Sequence, residues 1–195
     1  MQTVELKSEK EIEALRVSGR LAADLLKAVC GQAKAGITTD DLDQFASRWI
    51  KEHGAKAAFL NYRGFPKTIC VSINEEVVHG IPGPRKIKDG DIVGIDVGLF
   101  YDGWCGDTAK TIPIGKISSH AKRLLEISEQ SLEESIKESV PGNRIGDIAN
   151  GMQRVSEAGG YNVVRSYGGH GIGRQMHEDP HVPCLGKPGT GLRLS

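Results

Sequence analysis

The sequence predicts an α+β fold made of two related α/β halves. Apolar residues at helical spacing alternate with short β-prone runs along the 195 residues. An Asp-Gly pair, Asp102-Gly103, joins two apolar runs in mid-chain, a strong hairpin signal. A weak internal repeat relates the first part of the chain to the last. Displaced by 106 positions, Gly36 meets Gly142, Asp41 meets Asp147, Leu42 meets Ile148, Arg48 meets Arg154 and Gly54 meets Gly160.

In chain order, residues 8–30 predict a helix, with Ile12, Leu15, Leu21, Leu25, Leu26 and Val29 at helical spacing. A second helix starts at Thr38-Thr39, where hydroxyl caps and the acids Asp40 and Asp41 suit an N-terminus, and runs to Glu52, before Gly54. Residues 57–79 read as extended, with the run TICVSI and a turn at Arg63-Gly64; residues 80–90, rich in Gly and Pro, read as a loop. The strands DIVGIDVGLFY and WCGDTAKTIPI follow, then helices over 119–139 and 145–158, then an extended, glycine-rich remainder. Each copy of the repeat thus reads long helix, glycine turn, capped helix, glycine, strand. One domain spanning 1–195 is expected, with a site between its halves.

Composition narrows the function classes. Hydrophobic residues make up 38% and charged residues 26%, as in an ordinary soluble domain. Lys plus Arg and Asp plus Glu both number 25, so no electrostatic argument favours nucleic acid or an anionic membrane as partner. No stretch approaches the ~20 apolar residues of a membrane helix, and the polar start MQTVELKSEK lacks a secretory signal's apolar core, so the cytoplasm is the expected location. Cys30, Cys70, Cys105 and Cys184 include no CxxC pair; reduced thiols are expected rather than a zinc module.

The hairpin carries the first candidate chemistry. With Asp102-Gly103 as a two-residue turn, Asp96 faces Ala109 and Asp107 faces Gly98. Side chains alternate along a strand, so 96, 98, 107 and 109 share a face, and Val93, Ile95, Val97 and Leu99 form the opposite, core face. The two aspartates become diagonal neighbours with Cα atoms ~7–8 Å apart. Their neighbours Gly94, Gly98, Cys105 and Ala109 are small, which predicts space for an ion and a ligand. Either aspartate alone reads as the wet side of a half-buried strand. The pair is different, because converging like charges repel and a cation removes that penalty.

His79 ends an extended run in NEEVVHGIPGP, His170 lies among glycines in YGGHGIG, and His177 follows in RQMHEDPHVP. The last segment is not HExxH and does not read as helical, so a zincin helix is excluded. His53, His120 and His181 read as surface or hydrogen-bonded residues.

The motifs NYRGFPKTICVSINEEVVHGIP, GDIVGIDVGLFYDGWCGDTAKT and YGGHGIGRQMHEDP resemble those of type I methionine aminopeptidases, over about residues 3–195. That resemblance implies the pita-bread fold with its second half incomplete. It implies Asp96, Asp107 and His170 as metal ligands, Asp107 bridging two divalent ions. It implies His79 and His177 as non-ligand histidines beside the scissile bond, and Tyr62, Phe65 and Cys70, with those histidines, as substrate-binding positions. Met176 stands where the family often has an aromatic. Oxygen-plus-imidazole ligation suits Co, Mn, Fe or Zn. The implied substrates are nascent polypeptide N-termini, with the ribosome as a further contact and a monomer as the working form.

The family's dinuclear site also uses glutamates from later strands, the first in a Glu-Pro motif. After His170 the carboxylates here are Glu178 and Asp179, and no Glu-Pro follows. A C-terminally truncated chain of little or no activity is the resulting expectation. Two alternatives use the same fold. A non-catalytic peptide-binding member would typically lack the ligand residues, which are present here. A proline-specific peptidase would carry an added N-terminal domain.

Overall fold

The computed structural model describes residues 4–195; Met1, Gln2 and Thr3, part of the polar start read above, lie outside the described residues. Contacts divide the chain into two compact units. One comprises Leu6–Ser118 with Ile172–Met176, the other Ser119–Gly171 and His177–Ser195 with, among the described residues, Val4 and Glu5. No helix among the described residues is long and apolar enough to cross a membrane. None of the four cysteines forms a disulfide.

The first unit opens with α1 (Glu9–Gln32), where Glu11 accepts the backbone N–H of Ser8 at 2.9 Å. α2 (Thr39–Glu52) is capped reciprocally. Asp41 N–H donates to Thr38 Oγ1 at 3.1 Å, and Thr38 N–H donates to Asp41 at 2.8 Å. The segment expected to be extended over 57–79 holds less strand than that. β1 is only Lys56–Ala57, and a tight turn at Tyr62–Gly64 follows, with Asn61, Arg63 and Gly64 at positive φ. Those left-handed residues end pairing until β2 (Ile69–Ile73). The buried Asp43 of α2 fixes where β2 begins, accepting the N–H groups of Thr68 at 2.7 Å and Ile69 at 3.1 Å.

β3 (Ile92–Tyr101) is central. β4 (Trp104–Pro113) occupies one of its edges along the full length, and β1 and β2 pair antiparallel with successive stretches of the other. The core face of β3 is the expected one. Val93, Ile95, Val97 and Leu99 are fully buried beneath Ala22, Leu25 and Val29 of α1 and Leu42, Ala46 and Ile50 of α2. Each such aliphatic side chain contributes about 1.5–3 kcal/mol through burial. Ile12, expected on the buried stripe of the first helix, is exposed.

The second unit contains α3 (Ser119–Glu138), α4 (Ile145–Ala158) and the antiparallel pair β5 (Gly168–Gly171) and β6 (Glu178–Pro183). Its internal hydrogen bonds repeat those of the first unit. Gly36 N–H donates to Ile87 O and Gly142 N–H to Leu194 O; Thr39 N–H donates to Arg85 O and Ile145 N–H to Leu192 O; Asp40 N–H donates to Gly83 O and Gly146 N–H to Thr190 O. Gly36 and Gly142 adopt φ of 97° and 98°, and Asp147 accepts Arg144 N–H at 2.7 Å as Asp41 accepts Thr38 N–H. The repeat seen in sequence is therefore a duplication of structure. The copies differ at the helix interface. Where α1 buries Leu25 and Val29, α3 buries Ser131 and Ser135; Ser131 donates to Met152 O and Ser135 to Ser131 O.

Candidate active site

The β3–β4 register is the one expected, with Asp96 opposite Ala109 and Gly98 opposite Asp107. Asp102 and Gly103 both have positive φ, 50° and 77°, as a twist-matched two-residue turn requires. Asp96 and Asp107 are half-buried and hydrogen-bonded to each other through their carboxyls. Burial first, then the charge of Asp107 and that hydrogen bond, push the Asp96 carboxyl up to about 7.

The expected floor of empty space needs a correction at Gly98. A Cβ there would run into the ring of Phe59, so that glycine makes room for an aromatic side chain rather than for a ligand. Phe59 belongs to a buried cluster with Ala58, Cys70, Cys105 and Met176, against which Tyr62, Phe65, Phe100 and Ile172 pack. Tyr62, Phe65 and Cys70 are thus brought together beside the aspartates, Cys70 being the direct cross-strand partner of Asp96. Burial, followed by the charges of Asp96 and Asp107, pushes the Cys70 thiol up to about 12, so it presents a neutral wall. Phe59 was not singled out from the sequence; its role depends on a contact with Gly98 that no local pattern encodes.

His79 is exposed and has a left-handed backbone, φ 60°. The adjacent Gly80 explains its location. Gly80 N–H donates to Ser72 Oγ at 3.0 Å and its carbonyl accepts Val71 N–H at 2.9 Å, so close to β2 that a Cβ would strike the Val71 carbonyl. The loop end that carries His79 is thereby tied to the strand that carries Cys70.

In the second unit, His170 lies on β5 and His177 immediately precedes β6, with ring centroids 4.0 Å apart. His170 Nδ1 meets the Gly171 carbonyl at 3.0 Å. A carbonyl only accepts, so Nδ1 is the donor in that contact and Nε2 is the ring nitrogen that it leaves uncommitted to Gly171. Among the described residues, no group of three or more His, Cys, Asp or Glu side chains stands in a metal-holding arrangement. The donor chemistry fits a cation at the aspartate pair, where two hard oxygen donors repel on one face. A separate groove, lined by Arg16, Arg20, Asp24, His53 and Tyr101 among others, lies on the α1 side of the sheet and contains none of these groups.

A half-buried carboxylate pair beside a buried apolar cluster suits the chemistry of a metal-dependent hydrolase. The model of metallopeptidase family M24 matches residues 13–194, and the chain belongs to that family. Its relatives include the methionine aminopeptidase of Clostridium perfringens, 43% identical over 97% of this chain and 76% of that protein, and methionine aminopeptidase 1 of Bacillus subtilis, 46% identical over 96% and 76%. The solved methionine aminopeptidase of Rickettsia prowazekii superposes with a TM-score of 0.96 at 41% identity, covering 99% of this chain and 78% of that one. The prolidase of Pyrococcus furiosus, at TM-score 0.79 and 19% identity over 94% and 53%, shares the fold alone. The fold is thus the pita-bread fold of family M24, and a divalent metal requirement goes with a metallopeptidase family.

Proposed function

We propose that this chain serves in removal of the N-terminal methionine from nascent polypeptides by metal-assisted peptide hydrolysis, its two units working as one catalytic domain. The observation that carries the reading is the pair Asp96 and Asp107 on one face of the hairpin, with Cys70 opposite Asp96 in a cluster that Tyr62 and Phe65 pack against. Relatives at 41–46% identity named methionine aminopeptidase support it.

Asp96, Asp107 and the Nε2 of His170 are the residues that would hold divalent ions, of Co, Mn, Fe or Zn by the chemistry of the donors. When bound, such ions supply Lewis acidity toward the scissile carbonyl and lower the pKa of the attacking water. The remaining work falls to the chain itself. His177 donates a hydrogen bond to the developing oxyanion. His79 contacts the scissile nitrogen. Tyr62, Phe65, Cys70 and Met176 receive the unbranched thioether, whose polarisable sulfur suits aromatic and thiol walls. The proposed setting is the cytoplasm, on chains leaving the ribosome, with a monomer as the active form.

The test is methionine release after addition of Mn or Co, comparing Met-Ala-Ser with Met-Leu, Leu-Ala and Ala-Pro peptides. Preference for Met-Ala-Ser, however slow, supports the reading; preference for Leu-Ala or Ala-Pro contradicts it.

A further inference from the structure

The turn Ile172–Met176 joins β5 to β6 and belongs to the first unit. Several contacts hold it to the β3–β4 hairpin. The Arg174 guanidinium lies over the Trp104 ring, 3.9 Å from its centroid. Cys105 N–H donates to the Gly173 carbonyl at 2.8 Å. Met176 is buried against Phe59, Cys70 and Cys105. Arg174 Nη1 also approaches the Asp102 and Gly103 carbonyls, at 3.4 and 3.5 Å. A Cβ on Gly103 would come within 2.9 Å of that nitrogen, so the turn residue of the hairpin leaves room for the arginine.

We propose that Arg174 is a positioning residue, clamped on Trp104, that fixes the turn bearing Met176 and thereby sets the orientation of His177. The inference builds on the roles proposed above for Met176 and His177, but the clamp itself is geometric. Arg174 is exposed, whereas Met176 is buried and His177 is the next residue, so the arginine acts at the rim of the turn and its consequence appears along the backbone. An exposed guanidinium on an indole face holds by attraction to the ring's electron density, and its loss removes the turn's outer tether while the Gly173 carbonyl, Ile172 and Met176 still hold its inner side. Arg suits the role better than Lys, because the planar guanidinium stacks on the ring while its edge still points to the hairpin carbonyls.

The experiment is hydrogen–deuterium exchange on the full chain, with NMR of the His177 ring protons, for Arg174→Ala, Arg174→Lys, Trp104→Ala and Trp104→Phe. Arg174→Ala and Trp104→Ala should each speed exchange at 172–177 by about 3- to 30-fold, the range set by cation–π strength. The double variant should add little beyond either single change. Lys at 174 and Phe at 104 should restore part of the protection, and the His177 signals should move in the alanine variants while those of His120 do not. Unchanged exchange at 172–177 overturns the proposal. So does a uniform rise that includes β2 and β3, which would mean a general loss of stability. Neither readout needs metal or turnover, so the clamp and the peptidase reading stand or fall separately.

Discussion

Asp96 and Asp107 sit one diagonal step apart across the β3–β4 hairpin, both half-buried. Burial first, then the charge of Asp107, raises the Asp96 carboxyl to about 7, so Asp96 is the one the surroundings keep protonated. Without a cation the folded chain binds a proton there that the unfolded chain releases above the ordinary carboxylate range. This contribution to stability is complete below pH 3.8 and is lost as pH rises toward about 7. Asp96→Asn should therefore stabilise the metal-free chain at pH 8, by on the order of 2–4 kcal/mol, with little effect at pH 4. Thermal melts at both values check it; equal shifts at the two would contradict the assignment.

The duplication predicts matched costs at Gly36 and Gly142. Both have φ near +97°, and neither would bring a Cβ within 4 Å of another group, so only backbone strain opposes a side chain. Gly36→Ala and Gly142→Ala should each cost about 1–2 kcal/mol in urea unfolding. A large difference between them would mean that the two turns are not equivalent.

Gly98→Ala should be destabilising by about 1–3 kcal/mol, because the Phe59 ring already fills the space. Adding Phe59→Leu should recover part of that loss. No recovery would place the strain in the strand backbone instead.

For catalysis, His177→Ala should lower methionine release by about 10²–10³-fold, the usual scale for one lost oxyanion donor, while metal content stays the same. Elemental analysis separates this from ligation: a variant that loses metal would make His177 a ligand.

The hairpin was legible because Asp102-Gly103 dictates a turn, the turn dictates the register, and strand alternation then puts Asp96 and Asp107 on one face. The capped helices and their duplication were legible because Asp41 and Asp147 stand at the same capping position and Gly36 and Gly142 at the same left-handed turn. The turn over Asn61–Gly64 was only half visible, since Asn61 and Arg63 adopt positive φ without being glycine. The packing of Phe59 on Gly98 and of Arg174 on Trp104 was invisible, because each joins residues far apart in the chain and neither leaves a periodic trace. Three candidate ligands were identified by resemblance as much as by spacing, since nothing local distinguishes His170 from any glycine-flanked histidine.

The most direct test is a titration of the purified chain with Co or Mn, followed by calorimetry and by Co absorption, alongside Asp107→Asn. If the aspartate pair holds the catalytic metal, the unaltered chain binds the ion, and Asp107→Asn weakens binding by about 100-fold or more, a larger loss than for a residue that only supports a ligand. Equal affinity in the two proteins, or no binding by either, would contradict the metal role assigned to Asp96 and Asp107.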